Sequence, residues 1–160
     1  MRFHVPVTLR WSDLDAYGHV NNASLLHLLE EARIATFWSA DELDTNTLPV
    51  SAVAILNARP GSSTRSVIAH QEIEYRAQIP YLRSPLDVQL WFGKIGGASF
   101  DLFYEVWSPN NREQRTLFAR AATTLVLIDS QTQRPRRITP RERESWSRYI
   151  DEPLVFRRGH

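Results

Sequence analysis

The chain has 160 residues, no cysteine, 42% hydrophobic and 23% charged residues, and a net charge of +1 from 19 basic and 18 acidic side chains. That length and balance suit one folded domain, residues 1–160, with a core that needs no disulfide or metal to hold it. The composition excludes a thiol nucleophile and a thiolate zinc site, lacks the basic excess of a nucleic-acid binder, and offers no apolar run of about 18 residues to span a membrane. The N-terminal residues carry no apolar signal core, and a cytoplasmic protein is the expectation.

Val5, Val7, Leu9 and Trp11 alternate with His4, Pro6, Thr8 and Arg10, which predicts a half-buried strand. Residues 12–22 show no periodicity and read as a loop, with Asn22 as helix N-cap. Residues 23–40 read as a long helix. Leu25, Leu28, Leu29, Ala32, Ala35 and Thr36 form its apolar stripe, while Leu26, Ile34, Phe37 and Trp38 leave the opposite face partly apolar. A loop over 41–49, an apolar run over 50–56 and a loop over 58–66 follow; periodicity leaves the run undecided between helix and strand.

Strands are then expected over 67–77, 86–92, 100–107 and 116–128, with Gly96-Gly97 as a hairpin and a turn over 108–111. Trp91, Phe103 and Trp107 share a second strand face, read either as an interface or as a core layer under the C-terminal helix. Thr139-Pro140-Arg141-Glu142 is a capping box with proline at the first helical position. Trp146, Tyr149 and Ile150 give that helix an apolar side. A meander wrapped round one long helix is an α+β domain.

The chain contains no Gly-x-Ser-x-Gly, no P-loop and no Gly-x-Gly-x-x-Gly. His4, His19, His27, His70 and His160 lack paired ligand spacing, so no metal site is expected. The informative stretch is residues 11–22. It places Asp13, Asp15, His19, Asn21 and Asn22 just before a helix N-terminus, where free N–H groups and a partial positive charge suit a developing oxyanion. A carboxylate there reads in two ways. It is a general base or nucleophile, or Asp13 and Asp15 only form turns, Gly18 supplies a positive φ and Asn22 only caps.

Asp13-Leu14-Asp15-Ala16-Tyr17-Gly18-His19-Val20-Asn21-Asn22, followed by Glu30-Glu31-Ala32-Arg33, closely resembles the signature of hotdog-fold acyl-CoA thioesterases of the 4-hydroxybenzoyl-CoA thioesterase-like group, which includes the YbgC and FadM types. Glu72-Ile73-Glu74-Tyr75-Arg76, the segment Lys94 to Ser99, and residues 119–139 look similar too, so the resemblance runs over about 5–142. It implies a curved antiparallel sheet around one long helix, with a short C-terminal helix. It implies Asp15 as the catalytic carboxylate, nucleophile or base, and Gly18, His19, Val20 and Asn22 in the turn that offers N–H groups to the thioester oxygen. His19 orients the substrate or Asp15, or simply packs in the loop, and Asp13 reads as structural. Lys94, Gly96, Gly97 and Ser99 resemble a hairpin that meets CoA phosphates in some relatives; a plain turn is the other reading. Arg134, Arg136 and Arg137 also offer charge to phosphate. Residues 58–66 look longer than the usual link, and residues 75–80 depart from the usual Tyr-x-x-Pro; both bear on substrate choice.

The function implied is hydrolysis of an acyl-CoA to CoA and a carboxylic acid, without metal or cofactor, by a homodimer or homotetramer with active sites across its interface. The alternatives are a non-catalytic acyl-thioester binder and an acyl-carrier-protein thioesterase.

Overall fold

Alternation sets the first strand, and antiparallel pairing sets the rest. The computed structural model describes residues 1–37 and 61–157. The expectations for the end of the long helix, the loop over 41–49, the apolar run over 50–56, the start of the loop over 58–66 and His160 fall outside those residues. The elements are β1 (Phe3–Val7), a 3-10 turn (Trp11–Asp13), α1 (Asn22–Phe37), β2 (Thr64–Tyr75), β3 (Leu86–Ile95), β4 (Ser99–Trp107), β5 (Leu117–Asp129) and α2 (Pro140–Ser147). The strands form one antiparallel sheet in the order β1-β3-β4-β5-β2. β2 therefore ends the sheet although it is second in sequence.

The inner face of the sheet carries Val5, Val88, Leu90, Phe92, Leu102, Tyr104 and Val106, all buried. Against it α1 lays Leu25, Leu28, Leu29, Ala32 and Phe37. Phe37 was expected on the far side of the helix and Ala35 on the core side, but Phe37 is buried and Ala35 exposed. The aromatic ring has far more area to bury. It meets Phe3, Phe92, Phe100 and Trp146 edge-on or tilted, at centroid distances of 5.4–6.3 Å.

α2 starts as its sequence demands. The Thr139 hydroxyl accepts from Glu142 N at 3.2 Å, and Glu142 Oε2 accepts from Thr139 N at 2.9 Å. Trp146 then plugs the end of the core, stacked on Phe92 at 5.1 Å. Trp11 is not the fourth inward residue of β1. The strand ends at Val7, and Trp11 is exposed in the 3-10 turn.

The outer face corrects one expectation. Trp91 is covered not by α2 but by the extended segment after it. Trp91 Nε1 donates to Glu152 O at 2.9 Å, and the Arg2 guanidinium lies 3.8 Å over its ring. Further along, Arg157 N donates to Glu74 Oε2 on β2, so residues 151–157 cross the sheet from β3 to β2. Beside this strap lie two buried carboxylates. Glu105 accepts from Arg2 and Trp107 and pairs with Arg120; Asp87 accepts from Arg115 and Gln89 and meets His4 Nδ1.

Candidate active site

The loop between β1 and α1 is a small closed hairpin. Leu14 bridges Val20, Asp15 N donates to His19 O at 2.8 Å, and Gly18 N donates to Asp15 O at 3.2 Å. Gly18 sits at φ +78°, a backbone region that glycine enters without penalty. Asp15 Oδ1 accepts from Tyr17 N at 2.8 Å and from His19 N at 3.2 Å. Asp15 Oδ2 has no hydrogen-bond partner among the described residues. One oxygen therefore forms the turn, and the other takes no part in it. The turn-forming reading of this carboxylate is seen in the Oδ1 bonds.

The hairpin is anchored on both sides. Asp13 is buried; its carboxylate accepts from Arg10 N at 2.7 Å and Arg10 Nη2 at 3.1 Å, and its carbonyl accepts from Asn21 N. Val20 N donates to Ile79 O at 2.9 Å, and His19 bridges Pro80, tying the loop to the segment after β2. The sequence ties residues 75–80 to substrate choice only through the resemblance; nothing local in them signals the contact with the loop.

The helix cap lies one residue earlier than expected. Asn21, not Asn22, caps α1: its Oδ1 accepts from Ala23 N at 2.8 Å, and its carbonyl accepts from Leu25 N. A cap side chain must reach back to the second or third helical N–H, and Asn22 already has helical geometry. Adjacent asparagines offered two candidates, and the hydrogen bonds choose. The N–H groups of Asn22 and Ser24 have no acceptor among the described residues, so the helix start presents free donors. His19 meets the Asp15 carboxylate through its backbone N–H, while its ring Nδ1 is buried without a partner among the described residues.

The hairpin from Lys94 to Ser99 lies elsewhere in the chain. Its end of the sheet is where Phe100 pairs with Leu125; the Asp15 loop is fastened near the end where Val106 pairs with Ala119. Six residue steps along β4 take Phe100 to Val106, about 20 Å at the rise of a strand. One chain therefore does not bring Asp15, Gly18, His19, Val20 and Asn22 together with Lys94, Gly96, Gly97 and Ser99. The hairpin is a firm turn: Gly96 N donates to Ser99 O, and Arg143 donates to Ile95 O and Gly96 O. Lys94 is exposed. Arg136 is already engaged, paired with Glu142 at 2.7 Å and bonded to Thr64. Burial pushes the Glu142 carboxyl up, but Arg136 and Thr139 outweigh this and hold it below the ordinary range.

A family model described as the thioesterase-like superfamily matches residues 9–145, which include the hairpin, α1 and the whole sheet beyond β1. The chain belongs to the thioesterase-like superfamily. The YsmA protein of Bacillus subtilis, itself uncharacterized, is 27% identical over 103 residues, 64% of this chain and 58% of that protein, so the match spans less than two thirds of that relative. Among solved structures, the probable thioesterase YbaW of Escherichia coli is 24% identical, with a TM-score of 0.64 over 94% of this chain and 99% of that one. The PA5185 protein of Pseudomonas aeruginosa superposes with a TM-score of 0.71 at 18% identity, over 95% and 94% of the two chains. The DHNA-CoA thioesterase of Staphylococcus aureus superposes at 0.67 and 17%, over 92% and 89%. At these identities the likeness shows the fold, which is the expected hotdog. The family match supports thioester hydrolysis as the class of activity of this thioesterase-like chain. Among its described residues no helix is long and apolar enough to cross a membrane.

Proposed function

We propose that this chain is an acyl-CoA thioesterase of the YbgC/FadM type, cleaving an acyl-CoA to free CoA and a carboxylic acid. The observation that carries the reading is the divided Asp15 carboxylate, with Oδ1 held in the turn and Oδ2 free, on a hairpin whose other end runs into the start of α1 with its open N–H donors. The thioester carbonyl oxygen is placed against those donors, which stabilise the charge it gains as the carbon turns tetrahedral. Asp15 Oδ2 either takes a proton from the attacking water or attacks the carbon itself, giving an anhydride that water then opens. In both routes the C–S bond breaks, CoA leaves as thiolate and is protonated, and the oxygen of water ends in the acid. A thiolate leaves readily, so a site without a strong acid suffices.

A homodimer completes this reading. β2 is a twelve-residue edge strand, exposed along most of its length, with Val67, Ile68 and Tyr75 each more than 40% exposed. A bare edge of that length is a template for another strand. Antiparallel pairing of two β2 edges reverses one sheet against the other. It carries the Lys94–Ser99 end of one protomer toward the Asp15 end of its partner, which is how the separated groups come to share a site. Lys94 and the Gly96-Gly97 turn would then meet the CoA phosphates.

Release of free thiol from a panel of acyl-CoAs, read with a thiol dye, tests the activity. The second reading, a non-catalytic binder, is favoured by the Asp15 Oδ1 bonds alone, and binding without turnover would establish it. The same acyl group offered on CoA and on a carrier protein identifies the handle.

A further inference from the structure

Where α1 faces β2 there is a cavity of about 450 Å³. Its walls are mostly apolar: Ile34 and Phe37 from α1, Val67 and Ile68 from β2, Phe100 and Leu125 from β4 and β5. Ile68, Leu125 and Phe100 lie in register across three strands and share the inner face. Edge pairing by β2 would use its backbone and leave that face free.

Glu30, Arg65 and Ser66 line the cavity's polar side, and Arg33 is the cation that projects from α1 into the apolar wall. Its side chain keeps only 12% of its surface in solvent. A guanidinium has five N–H donors in a rigid fork, and burying them is costly unless acceptors answer. Here the answers are weak. Among the described residues, one nitrogen donates to the Tyr104 hydroxyl at 3.4 Å, and another lies 3.6 Å from a half-exposed Glu30 carboxylate, beyond hydrogen-bond length. Behind Arg33, Tyr104 is fully buried, and burial is the main cause that raises its phenol pKa. Thr123, 1% exposed, lies beside that phenol with its Oγ1 lacking a well-formed hydrogen bond among the described residues. A buried polar cluster that its own chain satisfies only in part calls for an explanation. An acceptor brought in by a ligand supplies one.

We propose that this cavity holds the distal part of the acyl group, and that Arg33 selects acyl groups carrying an oxygen acceptor there, hydroxyl or carboxylate, over saturated chains of equal length. The proposal rests on the thioesterase reading above and names its substrate class. α1 joins the two places: Arg33 is eleven residues beyond Asn22, about 16 Å along the helix axis. A long acyl group lying along the helix brings its far end to Arg33, and a short one does not.

The test compares kcat/KM for decanoyl-CoA and its ω-hydroxy and ω-carboxy counterparts, and for the same three at tetradecanoyl length. At one of these lengths an oxygenated chain should be preferred about tenfold or more, mainly through KM, the scale of a hydrogen bond to a charged group. The hydroxy and carboxy arms separate a neutral from an anionic acceptor. Arg33→Met should abolish the preference while leaving the saturated chain turned over, and Arg33→Lys should retain part of it. A saturated chain preferred at both lengths overturns the proposal, whatever the variants do, and so does a preference that survives Arg33→Met. Free decanoate presents the same oxygen without a thioester. Its Kd by calorimetry should rise about tenfold in Arg33→Met; an unmoved Kd is a second refutation. If decanoate binding depends on Arg33 while no thioester is cleaved, the ligand class of the cavity stands and the hydrolase reading falls.

Discussion

Asp15→Asn separates the turn bonds of this side chain from the catalytic role proposed for it. The amide oxygen can still accept from Tyr17 N and His19 N, which lie 2.8 and 3.2 Å from Oδ1, while the free Oδ2 becomes an NH2 without charge or basicity. Hydrogen bonds to a charged group contribute about 1.5–3 kcal/mol and neutral ones about 0.5–1.5. The Tyr17 bond is exposed and the His19 bond is long, so the expected loss is about 1 kcal/mol in all, or roughly 2–4 °C in Tm for a chain of this size. The chemical step should suffer far more, with kcat falling about 10²-fold or further for loss of a positioned base. Thiol release under saturating acyl-CoA gives kcat, and a thermal melt gives the stability. Asp15→Ala loses the turn bonds too and should melt lower than Asp15→Asn at similar residual activity. An Asp15→Asn enzyme keeping more than about a third of wild-type kcat would refute the catalytic assignment, because no positioned base is dispensable to that degree.

Light scattering at micromolar concentration should give at least twice the 18.5 kDa of the chain, and a monomer mass would sink the shared-site geometry. Lys94→Ala should raise KM for acyl-CoA with kcat little changed, the pattern of lost uniform binding; an unchanged KM removes Lys94 from the site. Burial raises the pKa of Asp87, but its bonds from Arg115, Gln89 and His4 outweigh that and hold it below the ordinary 3.8. Its contribution is therefore full above 3.8 and lost as pH falls through the lower folded value. Asp87→Asn should cost about 1–3 kcal/mol in a urea melt at neutral pH. The gap to wild type should close in acid, and a gap independent of pH contradicts the assignment. A Cβ on Gly93 would overlap the edge of the Phe103 ring at Cε2. Gly93→Ala should destabilise by about 1–3 kcal/mol, and Phe103→Leu in the same chain should recover part of it; an unshifted melt argues against that close contact.

Local chemistry was legible wherever a few neighbouring residues decide the outcome. Thr139 and Glu142 cap α2 because the cap needs only residues three apart, and alternation located β3 and β4 because one buried face forces a period of two. The motif around Asp15 drew attention for the same reason: its turn, its glycine and the following helix are all within reach of one another. What depended on distant residues was not legible. Asn21 rather than Asn22 caps α1 because Asp13 and Ile79 fix the hairpin's exit, and Ile79 arrives from the far end of β2. Trp91 is covered by residues 151–157, sixty residues away, because the Arg2, Glu152 and Asp151 contacts draw the strap across β3. Asp15 and Lys94 lie at opposite ends of the sheet because β3 and β4 run its full length between them, and strand periodicity carries no record of which end a loop joins. The order β1-β3-β4-β5-β2, which leaves β2 bare and opens the cavity beside Arg33, is a property of the packed sheet: pairing across long sequence separations is chosen by the burial of whole faces and not by any residue's neighbours.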